Sequence, residues 1–304
     1  MRIAYFGTAE FAVPPLRAIA EHVVAVVSQP DRPSGRGMRL TPSPVSALAQ
    51  ELGIDLLRPE KARDPEFIEH MRSLNCDVFV VAAYGQILRE SLLEGARHGS
   101  VNLHGSILPQ YRGAAPIQRA IMDGEAETGV TLMQMAKGMD TGDMIDIVRT
   151  PIGPDETYGE LAARLSELAA AQLSTWLPRL AAGDYPRVEQ DHAAATHAAK
   201  IERGESILDP TRPAEEEYRR FRAVTPSPGA LLPSQWGDLK VLRARLSHAQ
   251  VTPATISTED GFVVGFHGGA LRIEELKVPG RSAISGPEFL RGFRIQNGTP
   301  LLAT

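Results

Sequence analysis

The stretch from Asn102 to Gln118 carries the residues of this chain whose types and spacing best suit catalysis. An amide, Asn102, and an imidazole, His104, stand two residues apart at the end of an apolar run and before a turn rich in Gly and Pro. Residues i and i+2 of a strand share one face, so both side chains would point into the same space. Two hydrogen-bonding groups aimed together from a strand end suit acyl transfer. The alternative is a polar strand end whose Asn and His only satisfy loop backbone.

A second candidate for chemistry is the loop from Lys137 to Asp143, in which Gly138 and Gly142 bracket the first of two carboxylates, Asp140 and Asp143. Glycine allows tight backbone close to a ligand. Either carboxylate could act as an acid, a base or a group that orients a histidine. The simpler interpretation is a turn, because Asp is a common turn former.

The segment from Gln29 to Pro44 contains four prolines, two glycines and three arginines, Arg32, Arg36 and Arg39. This composition predicts no regular secondary structure. Long loops inside compact domains are usually functional or disordered. An arm with three arginines could contact phosphate or an acidic partner, and a solvated loop fits the same pattern equally well.

Alternating apolar strands and helices predict the framework that must position these groups. Arg2–Phe6 and His22–Ser28 have the pattern of buried strands, with a helix over Phe11–Ala20 between them, which makes a βαβ opening. Asp77–Ala83 is the strongest buried-strand pattern, and turns that follow parallel strands line the binding crevice of α/β sheets. The first turn, Gly7–Glu10, lacks the Gly-x-Gly-x-x-Gly fingerprint, so NAD is rejected as the default cofactor.

Length and composition favour two domains of an ordinary globular protein, since the chain has 304 residues of which 43% are hydrophobic. No apolar run is long enough to span a bilayer, and the N-terminal residues lack the features of a signal peptide. The single cysteine, Cys76, excludes an internal disulfide and a multi-cysteine metal site. His192 and His197 lack partners at metal spacing, so no metal is expected. We therefore expect a soluble cytoplasmic protein.

The charge balance is acidic, with 32 Lys and Arg against 37 Asp and Glu. Residues 205–304 hold 12 basic and 11 acidic residues, so neither half of the chain is a polybasic surface. This argues against a general nucleic-acid coat, and any nucleic-acid contact would have to be local.

The hydrophobic pattern changes along the chain in a way that predicts two domains. Tyr158–Leu180 has helical periodicity, with Thr157 as N-cap and Glu160 at the capping-box position. Asp191–Ala199 resembles a linker, and from about Ala230 onward short strands alternate with turns. The predicted fold is α/β: a Rossmann-like parallel-sheet domain in residues 1–188, a linker in 189–205 and a smaller OB-like β-barrel in 206–304.

Five stretches together resemble the 10-formyltetrahydrofolate-dependent formyltransferases; they are Gly7–Ala12, Gln29–Gly37, Ala83–Leu88, Asn102–Gln118 and Met139–Asp143. Sugar-nucleotide formyltransferases, glycinamide ribonucleotide transformylase and formyltetrahydrofolate dehydrogenase share the Asn-x-His and Asp pattern. The Arg-rich loop and Arg112–Gln118 instead resemble the branch of the family that acts on methionyl-tRNA. The second domain resembles the family's OB-like domain more weakly, and Asp209-Pro210 departs from it where the family has Trp after the Asp.

The resemblance implies a role for each part of the first domain, which would be the formyltransferase catalytic domain. Asn102 and His104 would stabilise the tetrahedral oxyanion, while Asp140 would hold His104 protonated and relay a proton through water. The folate would lie between two turns and the Asp140 loop, and its contacts would come from Gln86, Ile87, Leu88, Ser106, Ile107, Leu108 and Pro109.

The same resemblance implies the partners of the protein. The co-substrate would be 10-formyltetrahydrofolate, with no metal, and the acceptor would be initiator methionyl-tRNA. Arg32, Arg36 and Arg39 would contact the acceptor stem, and the second domain would bind the tRNA body. We expect a monomer with no membrane partner. Two alternatives stay open: a formyltransferase for a sugar nucleotide, and a folate-binding or RNA-binding module without catalysis.

Overall fold

The computed structural model describes residues 1–34 and 39–302. These residues form two compact units, one made of 1–116, 127–151 and 162–199 and the other of 117–126, 152–161 and 200–304. The first unit is built on a mainly parallel α/β sheet and the second on an antiparallel sheet. The predicted α/β fold class with a smaller β unit is therefore confirmed.

The strands that precede residue 200 are β1 Ile3–Gly7, β2 Val23–Val27, β3 Arg32–Ser34, β4 Arg39–Thr41, β5 Leu56–Leu57, β6 Val78–Ala82, β7 Ser100–His104, β8 Arg112–Gly113, β9 Glu127–Gln134, β10 Met144–Pro151 and β11 His197–Ala198. The helices are α1 Val13–Ile19, α2 Pro44–Leu52, α3 Pro65–Ser73, α4 Glu90–Leu93, α5 Pro116–Asp123 and α6 Tyr158–Ala182. Short 3-10 helices cover Glu10–Ala12, Ala20–His22 and His192–Ala194.

The central sheet of the first unit has the strand order β10-β9-β7-β6-β1-β2-β5. β5, β2, β1, β6 and β7 run parallel, and β9 and β10 add an antiparallel edge next to β7. The chain leaves β1 for β2 on one side and later places β6 on the other side, so the order reverses beside β1. Ligands of open α/β sheets bind at the carboxyl ends of the strands where this reversal occurs.

The core of the first unit explains why the sequences of β1 and β6 are continuous apolar runs. Every residue of both strands is buried, as parallel strands covered by helices on both faces require. The ring of Phe6 lies 5.4 Å from that of Phe79 and 5.6 Å from that of Tyr84, which it meets edge-on. This aromatic cluster anchors the turn that follows β6.

Two short pairings form where the sequence predicts no regular structure. β3 and β4 pair as an antiparallel ribbon, Arg32 with Thr41 and Ser34 with Arg39, inside the Arg-rich segment. β11 pairs in parallel with β8 inside the segment that resembles a linker. Such two- or three-residue pairings depend on backbone hydrogen bonds and not on hydrophobic periodicity, so periodicity does not reveal them.

The second unit contains the elements α7 Ala214–Val224, β12 Ala230–Leu232, β13 Leu239–Ser247, β14 Thr255–Ser257, β15 Val263–Phe266, β16 Gly269–Lys277, β17 Ala283–Ser285, α8 Gly286–Gly292 and β18 Thr299–Pro300, with a 3-10 helix over Arg203–Ser206. Its strands follow the order β12-β13-β16-β15-β14-β18, with β17 paired to β16. The sheet is a curled half-barrel around a core that includes Phe262, Phe266 and Phe289.

The predicted capping box at the start of α6 is confirmed. The backbone N–H of Thr157 donates to Oε2 of Glu160 at 2.9 Å, and the N–H of Glu160 donates back to the Thr157 hydroxyl at 3.5 Å. The backbone hydrogen bond from Thr157 is the main cause that lowers the pKa of Glu160. Among the described residues, no helix combines the length and the apolarity needed to cross a membrane.

Candidate active site

The carboxyl ends of β1, β2 and β6 are joined by one hydrogen-bond network. The Thr8 hydroxyl and the Gln29 amide both donate to the carbonyl of Tyr84, at 2.8 and 2.9 Å. The Tyr84 side chain is buried, and burial raises its pKa to about 12. The turns after these strands are therefore fixed to one another at the edge where the strand order reverses.

Next to this network, β7 presents Asn102 and His104 on one face, as the i, i+2 spacing predicts. His104 is 5% exposed, whereas Asn102 is half-buried. Asp140 lies between them: Nδ1 of His104 is 3.6 Å from Oδ2 of Asp140, and Nδ2 of Asn102 is 3.5 Å from Oδ1 of Asp140. The structure thus brings together the three residues that the sequence nominates for catalysis.

The imidazole of His104 is oriented by the backbone of Tyr111. Nε2 of His104 lies 2.8 Å from the Tyr111 carbonyl oxygen. A carbonyl can only accept, so Nε2 carries a proton and Nδ1 is the nitrogen that faces Asp140. Tyr111 has a left-handed backbone with φ of +60°, and its N–H donates to the Thr196 hydroxyl at 2.8 Å. These contacts fix the carbonyl that in turn fixes His104.

The carboxylate of Asp140 is fixed by the backbone of Gly113, whose N–H donates to Oδ2 at 2.9 Å. Gly113 has φ of +128°, and a Cβ at this position would stand 2.6 Å from the carbonyl oxygen of Ala198 on β11. Both the conformation and the close approach of β11 therefore require glycine here. Sequence reasoning missed this support, because residues far apart in the chain meet through two-residue strands.

The structure distinguishes the two carboxylates that the loop sequence left open. Asp140 faces Asn102 and His104, as described above. Asp143 is half-buried and joins the sheet through its backbone, since its carbonyl accepts from the N–H of Gln134 at 2.8 Å. Among the described residues its side chain makes no hydrogen bond or ion pair. Position selects Asp140 as the carboxylate of this site.

The residues nominated for folate contact lie at the ends of the adjacent strands β6 and β7, in two different states of exposure. Ile87 is 82% exposed and Leu88 is half-buried, while the Gln86 side chain accepts the N–H of Ala62 at 3.0 Å. In the second turn, Ile107 and Pro109 are half-buried.

Ser106 and Leu108 are buried and hold the second turn together. The Ser106 hydroxyl donates to the carbonyl of Gln110 at 2.7 Å. The N–H of Leu108 donates to the Thr131 hydroxyl at 3.1 Å, and that hydroxyl donates to the Ser106 carbonyl at 2.7 Å. The second turn is thus held by its own hydrogen bond and by Thr131 of β9, and the first is held by the bond between Gln86 and Ala62. Both leave apolar side chains at the surface.

Two of the three arginines nominated for tRNA contact, Arg32 and Arg39, lie on the ribbon of β3 and β4. Arg32 is exposed, and its guanidinium donates to Oε1 of Gln29 at 3.0 Å, which ties the ribbon to the network around Tyr84. Arg39 begins β4, and Arg36 lies outside the described residues. In the part of the chain that the structure describes, no group of three or more His, Cys, Asp or Glu side chains could hold a metal ion.

Comparison with known proteins identifies the architecture. A family model described as "Formyl transferase" matches residues 1–177, and one described as "Formyl transferase, C-terminal domain" matches residues 200–294. The chain belongs to the formyl transferase family. Its relatives include the methionyl-tRNA formyltransferase of Symbiobacterium thermophilum, 43% identical over 98% of this chain and 94% of that protein. The methionyl-tRNA formyltransferase of Geobacter sulfurreducens is 43% identical over 99% and 96%.

A solved member of the same fold is the N-formyltransferase from Helicobacter canadensis, determined in complex with folinic acid and dTDP-3-aminofucose. Its TM-score with this chain is 0.64 at 18% identity, and the match covers 89% of this chain and 97% of that one. At this identity the likeness concerns the fold of formyl transferases and not the acceptor that each one uses.

Proposed function

We propose that this chain transfers the formyl group of 10-formyltetrahydrofolate to the amino group of initiator methionyl-tRNA, giving N-formylmethionyl-tRNA. The observation that carries the proposal is the convergence of Asn102, His104 and Asp140 at the end of β7, in a chain of this family. Methionyl-tRNA is the proposed acceptor because relatives named for it align with nearly the whole chain, including the second unit.

Asn102 and His104 would stabilise the charge that develops when the amine attacks the formyl carbon. The attack converts the formyl oxygen into an oxyanion, which needs donors in a site of low dielectric constant. The Asn102 amide meets Asp140 only at 3.5 Å, so its N–H is weakly engaged and available to the oxyanion. A donor of this kind contributes about 3 kcal/mol of barrier lowering.

Asp140 would accept and pass on the proton that the attacking nitrogen must lose. Its carboxylate faces Nδ1 of His104, so it pairs with the imidazole when His104 carries its second proton. The same carboxylate would accept a proton from the amine, directly or through water, and return it to the departing nitrogen. The bond to the N–H of Gly113 keeps the carboxylate in place through these steps.

The two turns at the ends of β6 and β7 would hold the folate. Ile87 is an exposed apolar side chain in the turn after β6, and Ile107 and Pro109 add half-buried apolar surface after β7, which suits the faces of a flat ring. Backbone groups from the two turns, Gln86–Leu88 and Ser106–Pro109, would read its hydrogen-bonding edge. The folate supplies the activated formyl group.

The arginine ribbon would contact the acceptor stem of the tRNA. Arg32 is exposed yet tied through Gln29 to the catalytic unit, so a phosphate bound there would be held at a fixed position relative to β1 and β6. Arg36 and Arg39 complete the proposed contact set. We also propose that the protein acts as a monomer in the cytoplasm, where charged initiator tRNA is used. Light scattering on the purified protein would measure its mass.

The decisive experiment supplies purified protein with 10-formyltetrahydrofolate and charged initiator tRNA and measures N-formylmethionine. We expect turnover that Asn102→Ala, His104→Ala and Asp140→Ala abolish while folate binding persists. Formylation of an amino-sugar nucleotide, with none on methionyl-tRNA, would reassign the acceptor. Folate binding without transfer to either acceptor would indicate a binding module.

A further inference from the structure

The turn that carries Asp140 needs support from outside itself. Asp140 has a left-handed backbone with φ of +52°, which is costly for a residue with a side chain. Such a conformation persists only where the surroundings determine it. Two residues later, a Cβ on Gly142 would stand 1.9 Å from the carbonyl oxygen of Gln134, so this part of the turn lies directly against the edge of β9.

The support comes from Gln190, a buried polar side chain that is 3% exposed. Its amide nitrogen Nε2 donates to the carbonyl oxygens of both Asp140 and Gly142, at 2.9 and 2.6 Å. One amide group therefore satisfies the backbone on both sides of the turn and fixes the direction in which the Asp140 side chain leaves it.

Arg112 fixes the amide of Gln190 in turn. Nε and Nη2 of Arg112 both donate to Oε1 of Gln190, at 3.0 and 2.7 Å. Reversing the amide would place its NH₂ group against the guanidinium and its oxygen against two carbonyls, so only one orientation satisfies every group. Arg112 also approaches Nδ1 of His192 at 2.9 Å, which holds the guanidinium from a second side.

These contacts link two neighbouring residues, Arg112 and Gly113, to the backbone and to the carboxylate of Asp140. The side chain of Arg112 reaches the backbone of Asp140 through Gln190, while the next residue, Gly113, donates directly to the Asp140 carboxylate. We propose that Gln190 and Arg112 are positioning residues that hold Asp140 in its reactive orientation. The inference rests on the proposed function, and it gives Arg112 a role inside the catalytic unit.

The primary test compares Gln190→Ala and Gln190→Glu with Gln172→Ala. Gln172 is a matched control because it is also 3% exposed and also donates from Nε2, to Asp146 at 3.0 Å. Misplacement of a catalytic group by about 1 Å lowers the rate about 100-fold, so we expect kcat to fall about 10- to 100-fold in both Gln190 variants. KM for the folate should stay within about threefold, and Gln172→Ala should keep wild-type kcat even if it melts earlier.

Gln190→Glu is the sharper of the two variants. It keeps the side-chain volume and an oxygen that Arg112 binds, and it replaces the donor that the turn needs with a carboxylate oxygen. A double-mutant cycle then separates positioning from general damage to the fold. In an Asp140→Asn background, Gln190→Ala should lower kcat no further, because its effect passes through Asp140. Independent, multiplicative losses would overturn the proposal, as would wild-type kcat in Gln190→Glu.

A measurement without turnover keeps this test separate from the proposed reaction. The amide resonance of Gly113 reports its hydrogen bond to the Asp140 carboxylate. It should shift in Gln190→Ala and stay in place in Gln172→Ala. An unmoved Gly113 resonance in Gln190→Ala would overturn the positioning role. A wild-type protein that makes no N-formylmethionyl-tRNA would count only against the proposed function.

Discussion

Asp140→Asn separates the charge of the candidate carboxylate from its shape. Asn has the same size and keeps an oxygen that can accept the N–H of Gly113, which lies 2.9 Å from the carboxylate in the wild type. It loses the negative charge that faces Nδ1 of His104 at 3.6 Å and cannot take up a proton. The substitution should therefore spare the architecture of the turn and remove its acid–base function.

The expected loss follows from these contacts. Proton transfer by a positioned side chain contributes about 10²- to 10⁴-fold in rate, which corresponds to about 3 to 5 kcal/mol of barrier. A hydrogen bond to a neutral acceptor is also weaker than one to a carboxylate, by about 1 kcal/mol, so Gly113 will hold the new side chain less firmly. We expect kcat to fall about 1,000-fold, with KM for the folate within about threefold.

Asp143→Asn is the matched control, because it removes a carboxylate from the same loop where no side-chain contact is lost among the described residues. Steady-state formylation of charged tRNA at saturating folate would give kcat for both variants. We expect Asp143→Asn to stay within about twofold of the wild type. An Asp140→Asn enzyme that keeps more than about a tenth of wild-type kcat would remove Asp140 from proton transfer.

Three further predictions concern stability and acceptor binding. Gly113→Ala should lower the free energy of unfolding by about 2 kcal/mol or more, because the new Cβ would collide with β11. Gly53→Ala, at φ of +68° with open space around it, should lower it by about 1 kcal/mol. Equal losses in urea unfolding would refute the collision with β11. Arg119, through its side-chain hydrogen bond, is the main cause that lowers the pKa of Glu205 in the folded state. The partly exposed pair should thus add about 1 kcal/mol to the free energy of unfolding above about pH 4.3, and this contribution should be lost as the pH falls through the lowered pKa. A Glu205→Gln variant that melts like the wild type at pH 7 would contradict this prediction. Arg36→Ala should raise KM for the tRNA and flatten its salt dependence while folate binding persists. An unchanged salt response would mean that the Arg-rich segment 29–44 is only a solvated surface.

The sequence predicts the parts of this site that depend on local pattern. The strand alternation places Asn102 and His104 on one face, and the glycines around Asp140 indicate a tight loop. It does not predict that Asp140, and not Asp143, faces the histidine, because both fit the same turn. The sequence also does not predict the residues that support the site, since Gln190 lies 50 residues from Asp140 in the chain.

The family resemblance supplies information that local sequence pattern cannot, but it does not reveal the contacts that hold the site. It names the reaction and the two substrates, because conserved motifs identify a family more readily than a geometry. It gives Arg112 only as a mark of that family, whereas the structure shows its guanidinium on Gln190. A left-handed Tyr111 and the carbonyl it directs at His104 have no sequence signature, since φ above zero is rare for such a residue.

The pairing of β8 with β11 limits how this chain can be cut or recombined. Gln190, Thr196 and Ala198 come late in the chain, yet they belong to the first compact unit and lie behind its candidate site. A protein ending at residue 188 would keep Asn102, His104 and Asp140 and lack the groups that orient them. Exchange of residues 200–304 between relatives, which leaves 117–126 and 152–161 of the second unit in place, should therefore preserve activity only when the junction follows Ala199. The structure thus marks residue 199 as the splice point for building hybrid enzymes.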